Sequence, residues 1–352
     1  MTKPAVDRLD ALVGDGIEAT VSFKHRRRLA RLGWGHVFEP STPGVFAAGD
    51  PPPREDCQLD VLIDGANALP EIAAAMARAK HSIHVSGWHI APSFELDRTE
   101  PQRQIGVILA EMAERVDVRV LVWSGAPVPV FHPTRAEVRE GIHDLVRGAR
   151  ELIYIENQFL WAPELVSIIA DKLRHPPTPD FRVVILLPAK ANNGADGTQG
   201  QLSVLADADD GQGRLLGATI RSLSPVEGRA DPLYVHAKVC VVDDRWLIVG
   251  SANLNAHSFF NDTEACVVSD DAQLAPDTRV RLWAEHVELD ENDVAGKSVR
   301  DLVDEHWLPI AGEQLARRQA GAPPTHRLLK LPGVSKRSRR LLGALSGLVD
   351  DG

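Results

Sequence analysis

Residues 234–264 read YVHAKVCVVDDRWLIVGSANLNAHSFFNDTE and hold the side chains of this sequence best suited to chemistry. His236, Lys238 and Asp243 stand in the spacing H-x-K-x4-D; Gly250-Ser251-Ala252-Asn253 follows, and Glu264 comes eleven positions after Asn253. An imidazole, an ammonium, a hydroxyl and an amide together suit a phosphodiester. Such a substrate carries its own negative charge, so an attacking nucleophile needs that charge offset. Lys238 can do this as a point charge, while the Ser251 hydroxyl and the Asn253 amide donate to non-bridging oxygens. A neutral His236 can attack phosphorus and form a phosphohistidine, dividing one hard displacement into two. Its other ring nitrogen then needs an acceptor, for which Glu264 is the best-placed carboxylate. Asp243 joins this catalytic set from the far end of the intervening strand. That position suits an orienting or structural role rather than proton transfer, and an Asp after a strand is also a common turn former. No metal is required, no His/Asp/Glu cluster has metal-ligand spacing, and no cofactor is expected.

Two apolar runs must position these groups. Val239 to Val242 and Trp246 to Val249 read as short strands joined by the turn signal Asp243-Asp244-Arg245. His236 and Lys238, two residues apart, are expected on one face of the first strand. Upstream the chain repeats itself. Residues 68–92 give a helix and then the strand Ser82 to Trp88; residues 141–163 give a helix and then the strand Leu152 to Glu156, and both close on Ala-Pro. Each copy adds a second helix and strand: Ile105 to Arg115 with Val118 to Trp123, and Leu165 to Leu173 with Phe181 to Leu187. Alternating helices and apolar strands imply an α/β fold, a mixed and mostly parallel sheet flanked by helices. The second copy continues through a Gly-rich loop (Ala191 to Gly213) to the His236 strand, whereas the first has no such continuation. Glu156, Asn157 and Gln158 end the Leu152 strand near the expected site, where binding and capping roles are both open. His257 and Trp88 are weaker candidates. Beyond Ala272 the pattern is helical, with Trp283 and Trp307 expected in the core. The resulting division is a lead-in (1–57), an incomplete first lobe (58–140), a second lobe carrying the motif (141–290) and a helical C-terminal tail (291–352).

The bulk properties of the 352 residues fit this outline. A net charge of −10 argues against a general nucleic-acid binder, so no nucleic-acid partner is expected. Cys57, Cys240 and Cys266 are odd in number and lack metal-ligand spacing, which points to buried thiols in a reducing compartment. Neither a signal-peptide core nor an apolar run of membrane-spanning length is present, so the expected location is cytoplasmic, with peripheral contact at the inner membrane face. Two basic stretches bear on that contact. Lys24 to Arg28 with Arg31 reads as a solvated helix face or a contact for phosphate head groups. The tail Thr325 to Leu348, with Lys330, Lys336, Arg337, Arg339 and Arg340, reads as a docked terminal helix or a membrane-surface element.

The triplet His236, Lys238 and Asp243, with GSAN and Glu264 behind it, resembles the HKD motif of the phospholipase D superfamily, in its bacterial phospholipase D and cardiolipin synthase branch. ELIYIENQFLWAPE resembles the strand that opens the second lobe of those enzymes, and AKHSIHVSGWHIAP the one that opens the first. The resemblance spans roughly residues 58–290. It implies a phospholipase D-like fold and a metal-independent enzyme that hydrolyses or exchanges phosphodiesters through a phosphohistidine, while a second histidine protonates the leaving alcohol. Two-lobed members carry two H-x-K-x4-D motifs. Here His81, His84, His89, His132 and His143 all lack a lysine two residues on, and the stretch from Trp123 to Arg150 is too short to hold a first motif.

The expected function is therefore a phospholipase D-like phosphodiesterase or phosphatidyltransferase acting on phospholipids in transient contact with a membrane surface. Its acid histidine would come from a second chain in a homodimer. The alternatives are a catalytically impaired phospholipid- or phosphate-binding protein and a nuclease-like phosphodiesterase. Net acidity and the lack of a basic, aromatic-interleaved groove weigh against the last.

Overall fold

The computed structural model describes residues 54–98, 103–122, 137–189, 195–224, 229–255, 258–259 and 262–332, together with Phe23, Arg27, Ala30 and Arg31 as exposed helical positions. The linker at 40–53, the rest of the basic cluster at 24–28, the joining stretch 123–136 with His132, His257 and the basic tail beyond 332 lie outside the described residues. The chain divides into two compact units, Gln58–Val130 and the remainder.

The smaller unit contains α1 (Gly65–Arg78), β1 (Ser82–Gly87), β2 (Glu95–Asp97), β3 (Arg103–Gln104), α2 (Ile105–Ala113) and β4 (Asp117–Val122). β1 and β4 pair in parallel, from Ser82 opposite Asp117 to Gly87 opposite Val122. Their alternation is that of a half-buried strand. Ile83 is buried and Val85 packs against the same cluster, while His84 and Ser86 face out. The core is small: Ala73, Ile83, Leu96, Ile105, Ile108 and Met112. Much of β4 is uncovered, with Leu121 at 72% exposure.

The larger unit begins with α3 (Glu137–Gly148), β5 (Leu152–Glu156), α4 (Pro163–Arg174) and β6 (Arg182–Leu186), the helix–strand–helix–strand order of the first copy without its small β2–β3 pair. It continues with α5 (Ala195–Asp209), β7 (Leu215–Ser224), β8 (Arg229–Pro232), β9 (Val239–Val242), β10 (Trp246–Gly250) and β11 (Cys266–Ser269). The closing elements are α6 (Leu274–Val287), α7 (Glu291–Ala295), α8 (Val299–Leu302), a π-helical turn at Val303–Trp307, α9 (Leu308–Gln319) and β12 (Leu328–Lys330). The strands form one eight-stranded sheet in the order β11-β10-β9-β5-β6-β7-β12, with β8 paired to β7. Every residue of β5 and β6 is buried, as a strand covered on both faces requires. On one face Ile153, Ile155, Val183 and Ile185 pack with Val146 of α3, Val166 and Ile169 of α4 and Leu205 of α5. On the other, Tyr154 meets the rings of Trp283 and Trp307, which are fully buried as expected of core residues.

Four expectations are corrected. The mixed, helix-flanked sheet is present, but only β5-β6-β7 runs parallel; β9, β10, β11, β8 and β12 join it antiparallel. Tight turns can return a chain antiparallel, whereas each parallel step needs a crossover, supplied here by α4 between β5 and β6 and by α5 between β6 and β7. The Gly-rich stretch at 191–213 contains α5, because Leu202, Leu205 and Ala208 recur at helical spacing and are buried. In the tail, Leu328–Lys330 is a strand: Leu328 and Leu329 are fully covered and pair with Ile220 and Thr219 of β7. The cysteines are free, but only Cys240 is buried; Cys266 is half-buried and Cys57 exposed. Among the described residues no helix is long and apolar enough to cross a membrane.

Candidate active site

The hairpin β9–β10 turns at Asp243 and Asp244, both in the left-handed region at φ 54° and 51°, which short polar side chains tolerate better than most. Asp243 does more than turn. Its carboxylate accepts hydrogen bonds from the backbone N–H groups of Arg150, Glu151 and Leu152 at 2.8–3.1 Å, fastening the hairpin tip to the start of β5. Asp243 is therefore fixed at the start of β5, whereas Lys238 bonds Gln158 just past the end of β5, with the strand β9 (Val239–Val242) between them. Asp243 is thus not brought to the other candidate residues.

At the opposite end of β9 the remaining candidates converge. His236 and Lys238 lie in residues 233–238, which belong to no strand, and β9 begins only at Val239. They are therefore not on a strand face, and side chains must hold the segment where ladder bonds do not. The Lys238 ammonium donates to the His236 carbonyl at 2.8 Å and to Gln158 Oε1 at 3.3 Å. Gly250 ends β10, with its N–H on the Lys238 carbonyl at 3.1 Å. A Cβ there would sit 2.3 Å from Cys266 Sγ and 2.6 Å from the Ala265 carbonyl oxygen, so only glycine fits. The next residue, Ser251, donates its hydroxyl to Glu264 and accepts from the Ala265 N–H at 2.9 Å. Glu264 thus holds Ser251, and among the described residues no hydrogen bond joins it to His236. Asn253 donates its backbone N–H to the Ser258 hydroxyl oxygen at 3.1 Å; its Oδ1 is buried without a partner among the described residues.

The end of β5 ties this cluster together. Asn157, 3% exposed, accepts from the N–H groups of Phe159 and Leu254 and donates to the Ala252 carbonyl, so its amide seats the 252–254 loop. Trp161 and Ala162 add N–H bonds to the Leu254 carbonyl. Gln158 donates to the Tyr234 hydroxyl at 2.7 Å while accepting from Lys238. Tyr234 in turn sets its ring 6.2 Å from that of His236, their planes inclined by 29°. On the other face Glu156 accepts from the Tyr154 hydroxyl and pairs with His286 Nε2 of α6 at 3.0 Å, both side chains almost fully buried.

Burial and charge set the protonation states. Lys238 lines an apolar pocket with Ile155, Cys240, Ile248, Leu254 and Cys266. This burial lowers its pKa to about 8, against the opposing pull of Glu264. Partial cover, and then the Lys238 cation, push the His236 pKa below its ordinary value. Burial alone would raise Glu156, but the hydrogen bond and charge of His286, with the Tyr154 hydroxyl, outweigh it and hold the carboxyl low. Among the described residues no group of three or more His, Cys, Asp or Glu side chains is arranged to hold a metal ion.

Residues 72–284, more than half of the chain, match the family described as cardiolipin synthase, PLD-like domain. The chain belongs to this phospholipase D-like family. It is 24% identical over 253 residues to phospholipase D B of Dictyostelium discoideum, a match covering 58% of this chain and 21% of that protein. Phospholipase D alpha 1 of Cynara cardunculus is 30% identical over 150 residues, 34% of this chain and 19% of the relative. The phospholipase D-like chain thus spans about a fifth of the length of these curated relatives. Among solved structures it is similar to phosphatidylserine synthase of Haemophilus influenzae, with a TM-score of 0.36, 18% identity, and coverage of 64% of this chain and 55% of that one.

Within this candidate site the His236 ring, the Lys238 ammonium and the Asn253 side chain stand at one end of β9, and Ser251 is engaged by Glu264. The sequence left Asn157 and Gln158 open between binding and capping, and the structure gives both a tie to the site loops. It gave no sign of His286, which reads as one more residue of an amphipathic helix, or of Tyr234, whose only cue is its place two residues before His236.

Proposed function

We propose that this phospholipase D-like chain hydrolyses or exchanges phospholipid phosphodiesters through a covalent phosphohistidine on His236. A ring nitrogen of His236 attacks phosphorus, the bond from phosphorus to the leaving alcohol breaks, and a second histidine gives that alcohol its proton. Water or a second alcohol then attacks phosphorus and releases His236. Lys238 and the Asn253 amide balance the charge on the non-bridging oxygens, and no metal enters the scheme. The second histidine is assigned to His236 of another copy, which makes the working unit a homodimer at a membrane surface. The observation that carries this proposal is the placement of His236, exposed at the surface yet partly covered and beside the Lys238 ammonium. Both influences keep the imidazole neutral at pH 7, the form a nucleophile needs.

The test is release of head group, and exchange with added ethanol, from phosphatidylcholine and phosphatidylglycerol vesicles with a chelator present. Wild type is expected to do both, and His236→Ala to lose at least about a thousandfold, as removal of a covalent nucleophile does. Equal inactivity of the two, with vesicles still bound, would leave a phosphate-binding protein instead. Light scattering during size exclusion tests the shared site, because an active strict monomer is incompatible with it.

A further inference from the structure

We infer that Gln158 is a positioning residue that fixes the His236 ring and the Lys238 ammonium relative to each other through one side-chain amide. The assignment rests on His236 being the nucleophile. Residues 233–238 lie outside every strand; backbone bonds hold the ends of the segment, from the Leu233 N–H to the Ile220 carbonyl at 3.3 Å and from the Gly250 N–H to the Lys238 carbonyl at 3.1 Å, and no strand ladder covers the residues between. Gln158 supplies what is missing. Its amide bonds Tyr234 on one side and Lys238 on the other, and these residues bracket His236 two positions to either side. One planar group therefore closes a five-residue arc with the nucleophile at its centre. The amide has a single workable orientation: an ammonium only donates, so Oε1 must face Lys238, and the NH2 is left for the Tyr234 oxygen. Gln158 can bear this role because its own backbone is held on both sides. Asn157 is buried and bonded to the 252–254 loop, and Phe159 is buried against Trp161 with ring centroids 4.2 Å apart. Lys238 closes the arc a second time by donating to the His236 carbonyl.

The charges facing Lys238 are Glu264 and, when protonated, His236. Against that background Gln158→Glu and Gln158→Leu should act with opposite signs. The experiment is an NMR titration of the chain labelled with 13C-lysine, the Lys238 signal being assigned by its loss in Lys238→Arg. In wild type the midpoint is expected at about 8. A carboxylate at position 158 should move it up. Leucine, which offers the buried ammonium no acceptor, should move it down. Phosphodiester turnover adds the second readout: Gln158→Leu should lose about tenfold in kcat/KM, on the order of one charge-assisted hydrogen bond in the transition state. Circular dichroism melts separate either effect from misfolding, and Gln158→Glu, nearly the same shape, serves if the leucine variant does not fold. Midpoints that stay at the wild-type value in both variants would overturn the role. A wild type without turnover would overturn the nucleophile assignment, while the titration still reports whether Gln158 holds Lys238.

Discussion

β1 and β5 are one element built twice. Each follows a helix, pairs in parallel with a strand reached through a second helix, and is followed by an Ala-Pro pair. Aligned on their inward-facing residues, Ile83 with Ile153 and Val85 with Ile155, the strand ends diverge: Ser86-Gly87-Trp88 stands where the larger unit has Glu156-Asn157-Gln158. The surroundings diverge as well. β5 lies inside an eight-stranded sheet with β9 on its free edge, and its three terminal residues bond to α6, to the 252–254 loop and to the His236 segment. Among the described residues β1 has only β4 beside it in its sheet, and Trp88 is 71% exposed. A repeated βα unit is therefore a scaffold and no more. The candidate site arises where a hairpin brings a second set of polar side chains to the strand end, as β9–β10 does for β5.

The sharpest test of this contrast is removal of the polar group that each strand end carries. Glu156→Gln leaves His286 buried without its carboxylate, and breaking a buried pair costs about 3–5 kcal/mol. Ser86→Ala, at the matching exposed position, should stay within about 0.5 kcal/mol. Urea unfolding measures both. The sign with pH is fixed by the direction of the shift. The Glu156 carboxyl titrates lower in the folded chain than in the unfolded one, so its stabilisation is full above the unfolded pKa and fades as pH falls through the folded value. The gap between wild type and Glu156→Gln should therefore narrow on acidification. A gap independent of pH would mean that the pair is not ionised.

What could be read in advance follows the range of the interactions. The repeat was plain because each of its elements is long, periodic and locally specified, from Ile72 and Met76 on α1 to the unbroken Leu152–Ile155 run of β5. The H-x-K-x4-D spacing was plain because it sits within one hairpin. The role of Asp243 was visible only as a position at the wrong end of the strand; that it caps the start of β5 depends on Arg150 to Leu152, more than ninety residues earlier. The same limit hid the Gln158–Tyr234 bond, which spans 76 residues, and the Glu156–His286 pair, which spans 130. Helix α5 was obscured by Gly and Asp, which lower local propensity until burial of Leu202 and Leu205 overrides it. Strand β12 was obscured because three residues carry too little pattern to outweigh the helical text around them.

The turn of β9–β10 gives the next test, since the described part of the smaller unit has no hairpin pinned to its first strand. Asp243→Ala removes the acceptor for three backbone N–H groups, two of them on exposed residues that water can reach. A loss of about 2 kcal/mol follows from one buried unsatisfied donor plus lost charge-assisted bonds. Because Asp243 is distant from His236, turnover per folded molecule should hold at temperatures where the variant stays native. A fall in kcat with unchanged stability would move Asp243 into the chemistry and undo its assignment as a clamp.

The smallest effect is expected where the two copies differ most in cover. Leu121 of β4 and Ile185 of β6 stand on corresponding second strands, at 72% and 0% exposure. Truncating Ile185 to alanine removes methylenes from a packed face and leaves a cavity, at a cost of about 2–5 kcal/mol. Leu121→Ala removes atoms that already touch water, so it should stay within about 0.5 kcal/mol. The comparison is read from urea midpoints of the full chain, at several protein concentrations. If Leu121→Ala proved as costly as Ile185→Ala, the β4 face would be covered in solution. A cost that grew with concentration would name the cover as another copy of this chain, since only association makes stability depend on protomer concentration.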